Sequence, residues 1–343
     1  MIHMKDIRMA AAFAVVTALA LLTLAGCASA RGLSAEEYFA IGMAYFEIGQ
    51  SRSANRDHYF REAERWLSRA RAQNRTMAAS AYNLGLLHFE MGRFEEAARQ
   101  FEAVLARDPE NALALRAAAY TRIRRGDFEE AARLYERFLA LVPESADDGF
   151  NHALVLFAME RYPEAEEVLA RNPLAFFDNP DFLLLYARAQ ARQDKPEALD
   201  SFAQWIEGNP ESAEAGAATF EFAQALESAG NYARALDEFR AAGERIAAGA
   251  SDPSRAMARF GVARVLLVAD PANPEGISEL RAALEAGFED MDSVEALLDD
   301  ERISASHLQE IRAIIAAREA PEVPDTTDSD YEDEDWEDAT EGP

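Results

Sequence analysis

The chain has 343 residues, 49% of them hydrophobic, and carries 34 basic against 62 acidic side chains, which gives a formal net charge of −28. This balance argues against nucleic acid as a partner and against electrostatic binding to anionic lipid, because both attract clustered cations. The single cysteine excludes a disulfide framework.

The first 27 residues have the pattern of a secretory signal. Two basic residues near the start are followed by an apolar run from Met9 to Gly26. This run is slightly short for a membrane span and suits the apolar core of a signal segment. The Leu-Ala-Gly-Cys sequence at residues 24–27 resembles the bacterial lipobox, which implies cleavage between Gly26 and Cys27 and acylation of Cys27, with palmitate for example. An uncleaved N-terminal anchor helix is the alternative interpretation.

From residue 33 onward, equivalent residues recur every 34 positions. The interval connects four alanines, Ala63, Ala97, Ala131 and Ala165. It also separates Gly92 from Gly126, Phe94 from Phe128, Phe101 from Tyr135, Leu105 from Leu139 and Pro109 from Pro143. A fixed period of this length, without alternating polar and apolar residues, predicts stacked helix–turn–helix units. Small residues let two helices approach, aromatic residues fill the space beside them, and Gly and Pro end helices.

These residues resemble the tetratricopeptide repeat family. One unit carries nearly the whole consensus, in Asn83-Leu84-Gly85, Gly92-Arg93-Phe94-Glu95-Glu96-Ala97, Phe101 and Asp108-Pro109. The resemblance is close over residues 33–249 and weaker to about residue 318. It implies an all-α fold, a right-handed superhelix (α-solenoid) of about six stacked helix–turn–helix units plus terminal helices over residues 33–318.

Three regions depart from the regular spacing. About nine extra residues near 50–57 predict a widened turn in the first pair of helices. The unit that contains Ala165 is shortened after Pro173, and the spacing returns between Ala198 and Pro210. Beyond residue 250, apolar periodicity alone predicts helices in 260–267, 276–286, 294–299 and 306–318.

The last 25 residues are strongly acidic. After Arg318 there is no basic residue, and residues 319–343 contain twelve carboxylates. Like charges repel and little apolar surface is available for burial, so the segment predicts a disordered acidic tail. Tyr331 and Trp336 could give a partner an apolar contact, and a solvating tail without a specific partner is the other interpretation.

No catalytic or metal-binding pattern stands out in the chain. The histidines are scattered without a His-Glu-x-x-His pair, and there is no second cysteine for a metal site. The glycines lie at predicted helix ends rather than in a phosphate-binding loop. We therefore expect a binding protein that is not an enzyme, with no catalytic residue, no metal and no cofactor.

The family resemblance places the binding surface on the first helix of each pair, which lines the concave face in these proteins. Carried over by repeat register, the groove residues are Tyr82, Asn83, Leu86, Phe89, Arg116, Tyr120, Arg124, Phe150, Asn151, Leu154, Phe157, Arg188 and Arg192. Aromatic residues and arginine are enriched at binding hot spots, and the arginines favour an acidic ligand. Some family members use asparagine at these positions to bind a peptide backbone, although asparagine there is also the plain consensus.

Together these patterns predict a lipoprotein of the bacterial cell envelope that acts as a protein–protein interaction adaptor. Residues 1–26 would be the signal peptide, and residues 27–32 the lipidated cysteine and a short tether. In bacteria with two membranes, an aspartate directly after the lipidated cysteine retains a lipoprotein at the inner membrane. This chain has Ala28 and Ser29 at those positions, which favours the outer membrane, with the array facing the periplasm. The expected partners are envelope proteins or peptide segments. The alternative is an accessory component of a periplasmic solute transporter that holds a small organic acid or peptide.

Overall fold

A computed structural model describes residues 32–51, 54–245 and 253–319. Within these ranges the chain forms seventeen α-helices and one short 3-10 helix, and no strand. The predicted signal peptide with Gly26 and Cys27, most of the tether, and the acidic residues from 320 onward lie outside the described residues. The chain divides into two compact units between Trp205 and Ile206, and each unit is described by itself.

The N-terminal unit contains eleven helices, of which the last reaches the boundary between the units. They are α1 (Ala35–Ser51), α2 (Arg56–Gln73), α3 (Ala78–Glu90), α4 (Phe94–Leu105), α5 (Ala112–Arg125), α6 (Phe128–Leu141), α7 (Ala146–Ala158), α8 (Tyr162–Ala170), α9 (Ala175–Asp178), α10 (Pro180–Ala191) and α11 (Glu197–Gly208). The C-terminal unit contains α12 (Ala215–Ser228), α13 (Tyr232–Arg245), α14 (Pro253–Ala269), α15 (Glu275–Glu285), α16 (Met291–Ala296), a 3-10 helix (Leu297–Asp299) and α17 (Ala305–Glu319).

The predicted all-α architecture of consecutive helix–turn–helix pairs is confirmed among these residues. From α1 to α8 each helix packs against the next, and the first helices of adjacent pairs, such as α3 and α5, also touch. The four helices predicted beyond residue 250 from apolar periodicity are present as α14, α15, α16 with the 3-10 helix, and α17. None of the helices in the described ranges is long and apolar enough to cross a membrane.

The widened turn predicted near residues 50–57 is wrong. Helix α1 continues to Ser51 and α2 begins at Arg56, so the extra residues lengthen the two helices. These helices have 17 and 18 residues, whereas α3 and α4 have 13 and 12. Phe46 and Phe60 lie next to the added turns and are buried, with their ring centroids 5.6 Å apart. Helical residues also satisfy their own backbone hydrogen bonds, which a long open turn would leave to water.

Early pairs of the N-terminal unit are held by a small residue on the first helix that faces a large side chain on the second. A Cβ atom added to Gly85 in α3 would lie 2.6 Å from Cε1 of Phe101 in α4. Phe101 has no exposed surface. In the next pair the corresponding residues are Ala119 and Tyr135, and both are fully buried. The size of the residue on the first helix therefore limits how closely the two helices approach.

The turns inside four successive pairs of the N-terminal unit each contain a residue with a positive φ angle. Gly92 and Gly126 have φ angles of 72° and 81°, and Glu160 and Asp194, at the next two positions in the 34-residue register, have 59° and 53°. The N–H groups of Gly126 and the following residue donate to the last carbonyl groups of α5, which closes the end of that helix. The turn conformation is therefore kept in pairs where the sequence has lost its glycine.

We expect Gly85→Ala to lower the free energy of unfolding by roughly 1–3 kcal/mol, the usual cost of overpacking a core. Alanine normally stabilises a helix interior relative to glycine by up to about 1 kcal/mol, so the predicted sign is opposite to the intrinsic preference. The control is Gly149→Ala in α7, where the nearest atoms to an added Cβ are 3.8 and 4.0 Å away. Urea unfolding should show a lower free energy of unfolding for Gly85→Ala and a higher one for Gly149→Ala. A higher free energy of unfolding for both variants would mean that the contact with Phe101 does not limit how closely the helices pack.

We expect Glu160→Gly to raise the free energy of unfolding by about 1 kcal/mol, because glycine adopts a positive φ angle without the steric cost of a Cβ atom. Glu160→Ala is the matched control, since it removes the charge and keeps the Cβ atom. Thermal or urea unfolding of both variants measures the difference. Equal gains for the two variants would assign the effect to the charge and contradict a role of the backbone conformation.

Candidate functional site

The thirteen predicted groove residues lie on the first helices of four consecutive pairs of the N-terminal unit. Helices α3, α5, α7 and α10 carry twelve of them, and Arg192 directly follows α10. We call the surface that these residues form the first-helix face. Its most exposed members are Arg116, Tyr120, Arg124, Leu154 and Arg192.

An aromatic cluster with one arginine lies at the ends of α3 and α5. The ring centroid of Phe89 is 5.3 Å from those of Phe94 and Tyr120. The guanidinium carbon of Arg124 lies 4.9 Å from the centroid of Phe94 and 5.9 Å from that of Phe89. Such stacking holds a guanidinium in place and leaves its N–H donors available. Within the described ranges no carboxylate pairs with Arg124, so its N–H groups can donate hydrogen bonds to a ligand carboxylate.

The same cluster recurs two repeats later. The rings of Phe157 and Tyr162 lie 5.0 Å apart in an edge-to-face contact, and the guanidinium carbon of Arg192 is 5.9 Å from the centroid of Tyr162. Each of these three residues is two 34-residue repeats beyond its counterpart in the first cluster. The intermediate repeat has Ala158 at the position of the arginine. The first-helix face therefore has two aromatic–arginine clusters with a gap of one repeat between them.

Sequence reasoning overlooked Phe94 and Tyr162 as members of the site. Both begin second helices. The spacing gave only a weak signal. An aromatic residue occupies this position in four pairs, as Phe60, Phe94, Phe128 and Tyr162, but only Phe94 and Tyr162 are followed by an arginine at the register of Arg124. Their contacts with Arg124 and Arg192 now place them in the two clusters.

Arg116 and Leu154 lie on α5 and α7, on the same helices as Arg124 and Phe157 but nearer the N-terminal end of each. The side chain of Arg116 is 49% exposed, and its Nη1 atom is 3.8 Å from Oδ2 of the nearly buried Asp148. That carboxylate oxygen also accepts a hydrogen bond of 2.7 Å from the Ser145 hydroxyl. Leu154 is 42% exposed and adds apolar surface. Arg116 is thus only loosely paired and can turn toward a ligand.

Three other predicted groove residues are packed against the core. The ring of Tyr82 lies 5.7 Å from that of Phe101, and burial raises the pKa of the Tyr82 hydroxyl above its ordinary value. Phe150 stacks on Phe182 with their centroids 4.6 Å apart. Leu86 is partly buried against the same core. These side chains support the face and contribute little of its exposed area.

The polar residues Asn83, Asn151 and Arg188 are also partly buried. The Nδ2 atom of Asn83 donates a hydrogen bond of 2.9 Å to the carbonyl oxygen of Ala79, one turn earlier in α3. This bond uses one donor of the amide and leaves its carbonyl oxygen for another partner.

Two histidines in the first helices, His88 and His152, are buried, and the Nδ1 atom of each has no hydrogen-bond partner among the described residues. His152 is 7% exposed and stacks on Tyr135 with a centroid distance of 6.1 Å. Burial, with a smaller effect of nearby arginines such as Arg161, lowers the pKa of His152 to about 4. Burial also lowers the pKa of His88. In the part of the chain that the structure describes, no three His, Cys, Asp or Glu side chains are grouped to hold a metal ion.

Two family models match the chain, and both are described as tetratricopeptide repeat. They cover residues 82–146 and 122–189. The combined range contains all the predicted groove residues except Arg192. A search of curated proteins found no match.

Several solved structures resemble the chain at low sequence identity. A tetratricopeptide repeat protein from Parabacteroides merdae ATCC 43184 is 17% identical, with a TM-score of 0.49, and the match covers 82% of this chain and 100% of that one. The MamA protein is 20% identical, with a TM-score of 0.46 over 49% of this chain and 91% of that one. A structure of Naa15/Naa10 bound to HypK-THB is 17% identical, with a TM-score of 0.51 over 83% of this chain and 41% of that one. This last likeness concerns the fold alone.

Proposed function

We propose that this chain is a protein–protein interaction scaffold whose first-helix face binds an acidic segment of a partner. The proposal is supported by the match of residues 82–146 and 122–189 to tetratricopeptide repeat models. A tetratricopeptide repeat fold indicates in general that the partners of a chain are other proteins. The observation that carries the finer proposal is the pair of aromatic–arginine clusters. Each combines a stacked guanidinium, which can donate to a carboxylate, with apolar rings that can pack against a neighbouring side chain.

The spacing of the clusters limits the length of the ligand. Adjacent packed helices lie about 8–10 Å apart, so two repeats separate the clusters by roughly 20 Å. An extended polypeptide rises about 3.3 Å per residue, and about six residues therefore span this distance. A ligand that pairs with Arg124 and Arg192 together would have acidic groups about six residues apart.

The alternative function uses the same guanidinium groups with a smaller ligand. A single carboxylate of a small organic acid could bind Arg116 or Arg124, as in an accessory component of a periplasmic solute transporter. Mass spectrometry of the gently extracted protein distinguishes the two functions, because it detects either a stoichiometric protein partner or a retained small molecule.

We also propose that the array is lipid-anchored in the cell envelope and faces the periplasm, with the outer membrane favoured over the inner. The support is the apolar run that directly precedes Cys27 and the absence of aspartate directly after Cys27. In this proposal residues 1–26 are the cleaved signal peptide, residues 27–32 the acylated tether, and residues 319–343 an acidic tail beyond the array. Two or more acyl chains on Cys27 would give stable anchoring.

We expect the double substitution Arg116→Ala and Arg124→Ala to abolish capture of the native partner in pull-downs from envelope extracts, because both guanidinium groups lie on the first-helix face. Arg99→Ala with Arg133→Ala is the matched control. It removes the same charge from exposed side chains of the second helices α4 and α6, which pair with glutamates on their own helices. Circular dichroism checks that helicity is kept. Unchanged capture by the first variant, or equal loss in both, would contradict a role of this face.

We expect Cys27→Ser to prevent lipoprotein processing, because the sequence has no other cysteine to acylate. Metabolic labelling with palmitate should be lost, and the protein should remain as a precursor or leave the membrane fraction. Labelling of the variant at the level of the native chain would contradict the anchor. The control Ser29→Ala leaves the cysteine in place and should be labelled normally.

A further inference from the structure

A second groove lies on the opposite side of α3, between the second helices α2 and α4. We call it the second-helix groove. It has a volume of about 640 Å³ and is lined by residues of α2, α3 and α4 and of the turns that follow α2 and α4. Alanines form much of its walls, and Leu84 and His88 of α3 form its floor. The groove is not part of the first-helix face.

Three arginines converge on this groove. Arg71 lies in the last turn of α2, Arg75 in the turn after it, and Arg107 just beyond α4. The lining contains no aspartate or glutamate, and none of the three arginines forms an ion pair with another described residue. Burial and the neighbouring Arg107 lower the pKa of Arg71, as expected where cations are close together without a compensating anion. In a chain with a net charge of −28 this local excess of positive charge is unusual.

An equivalent groove two repeats later shows that the fold does not require unpaired arginines. That groove lies between α6 and α8 and is also lined by three arginines, Arg133, Arg161 and Arg171. All three are paired with glutamates on or beside their own helix, with N–O distances of 2.8, 2.6 and 3.0 Å. The repeat geometry thus provides the same groove in both places, and only the first leaves its cations without partners.

The second-helix groove also contains a hydrogen-bond acceptor without a donor. The Oε1 atom of Gln100 on α4 is buried and has no hydrogen-bond partner among the described residues. Buried polar atoms of this kind are rare in folded proteins because the lost hydrogen bond with water is not replaced. The main-chain N–H group of a bound polypeptide is a donor that fits such a position. A free inorganic anion at neutral pH offers little donor capacity by comparison.

We propose that the second-helix groove is a second binding site of this chain, and that its ligand is an acidic polypeptide segment. Carboxylates of the ligand pair with Arg71, Arg75 and Arg107, its main chain donates to Gln100, and its small side chains contact the alanine walls. The site is separate from the first-helix face and stands whether or not that face binds a partner.

The probe is a fluorescein-labelled octaglutamate peptide, and its binding to the full chain is followed by fluorescence anisotropy at low ionic strength. The test variant is R71Q/R107Q, and the matched control is R133Q/R171Q in the equivalent groove, which changes the net charge by the same amount. We expect the dissociation constant to rise at least tenfold for R71Q/R107Q and less than twofold for R133Q/R171Q. Circular dichroism confirms that both variants are folded.

Four outcomes would overturn the proposal. The native chain could fail to bind octaglutamate, or the two variants could weaken binding equally, which would assign it to net charge. Displacement of the peptide by inorganic phosphate at a similar concentration would show that the site takes free anions rather than polypeptide. Loss of binding in R116A/R124A alone would place the peptide on the first-helix face and leave the proposed function intact.

Discussion

The rest of the N-terminal unit depends on the contact between a small residue of one helix and a large buried side chain of its partner. Where Gly85 meets the ring of Phe101, any larger residue would push the two helices apart. In the next pair the same positions of the repeat are occupied by Ala119 and Tyr135, which are both fully buried. Since each pair is stacked only on its neighbours, the contact sets the rotation of the first helix and therefore which side chains it exposes. Arg116, Tyr120 and the stacked Arg124 are in reach of a ligand for this reason.

Charge is organised by the same stacking. Several arginines pair with glutamates of an adjacent repeat, as Arg93 does with Glu64 and Arg122 with Glu102. These ion pairs connect neighbouring repeats, and in each of them a glutamate neutralises the charge of an arginine. Against this background, Arg124 on the first-helix face and Arg71 in the second-helix groove stand out, because no carboxylate among the described residues neutralises them. Because these arginines are not neutralised, we expect both surfaces to prefer acidic ligands.

The 34-residue spacing was sufficient to predict the helical pairs, because it marks close contacts that only particular residue sizes permit. It did not predict the path of the chain near residues 50–57, since a run of extra residues can extend helices as readily as a turn. Nor does it predict the left-handed conformation of Glu160, which the neighbouring helices impose on a residue that does not favour it. The stacking of Arg124 on Phe94 and the convergence of Arg71 with Arg107 join different helices, so they emerge only from packing in three dimensions.

Helix α3 contributes to both candidate binding surfaces, and this position links the two surfaces. One of its sides supplies Phe89 to the first-helix face, and the other supplies Leu84 and His88 to the floor of the second-helix groove. Within the N-terminal unit, α3 therefore contributes to both surfaces. A ligand that shifts or stiffens α3 from one side changes the free energy of binding on the other side. Thermodynamic linkage makes that influence equal in both directions, so two partners held on opposite sides of one helix would either recruit or expel each other.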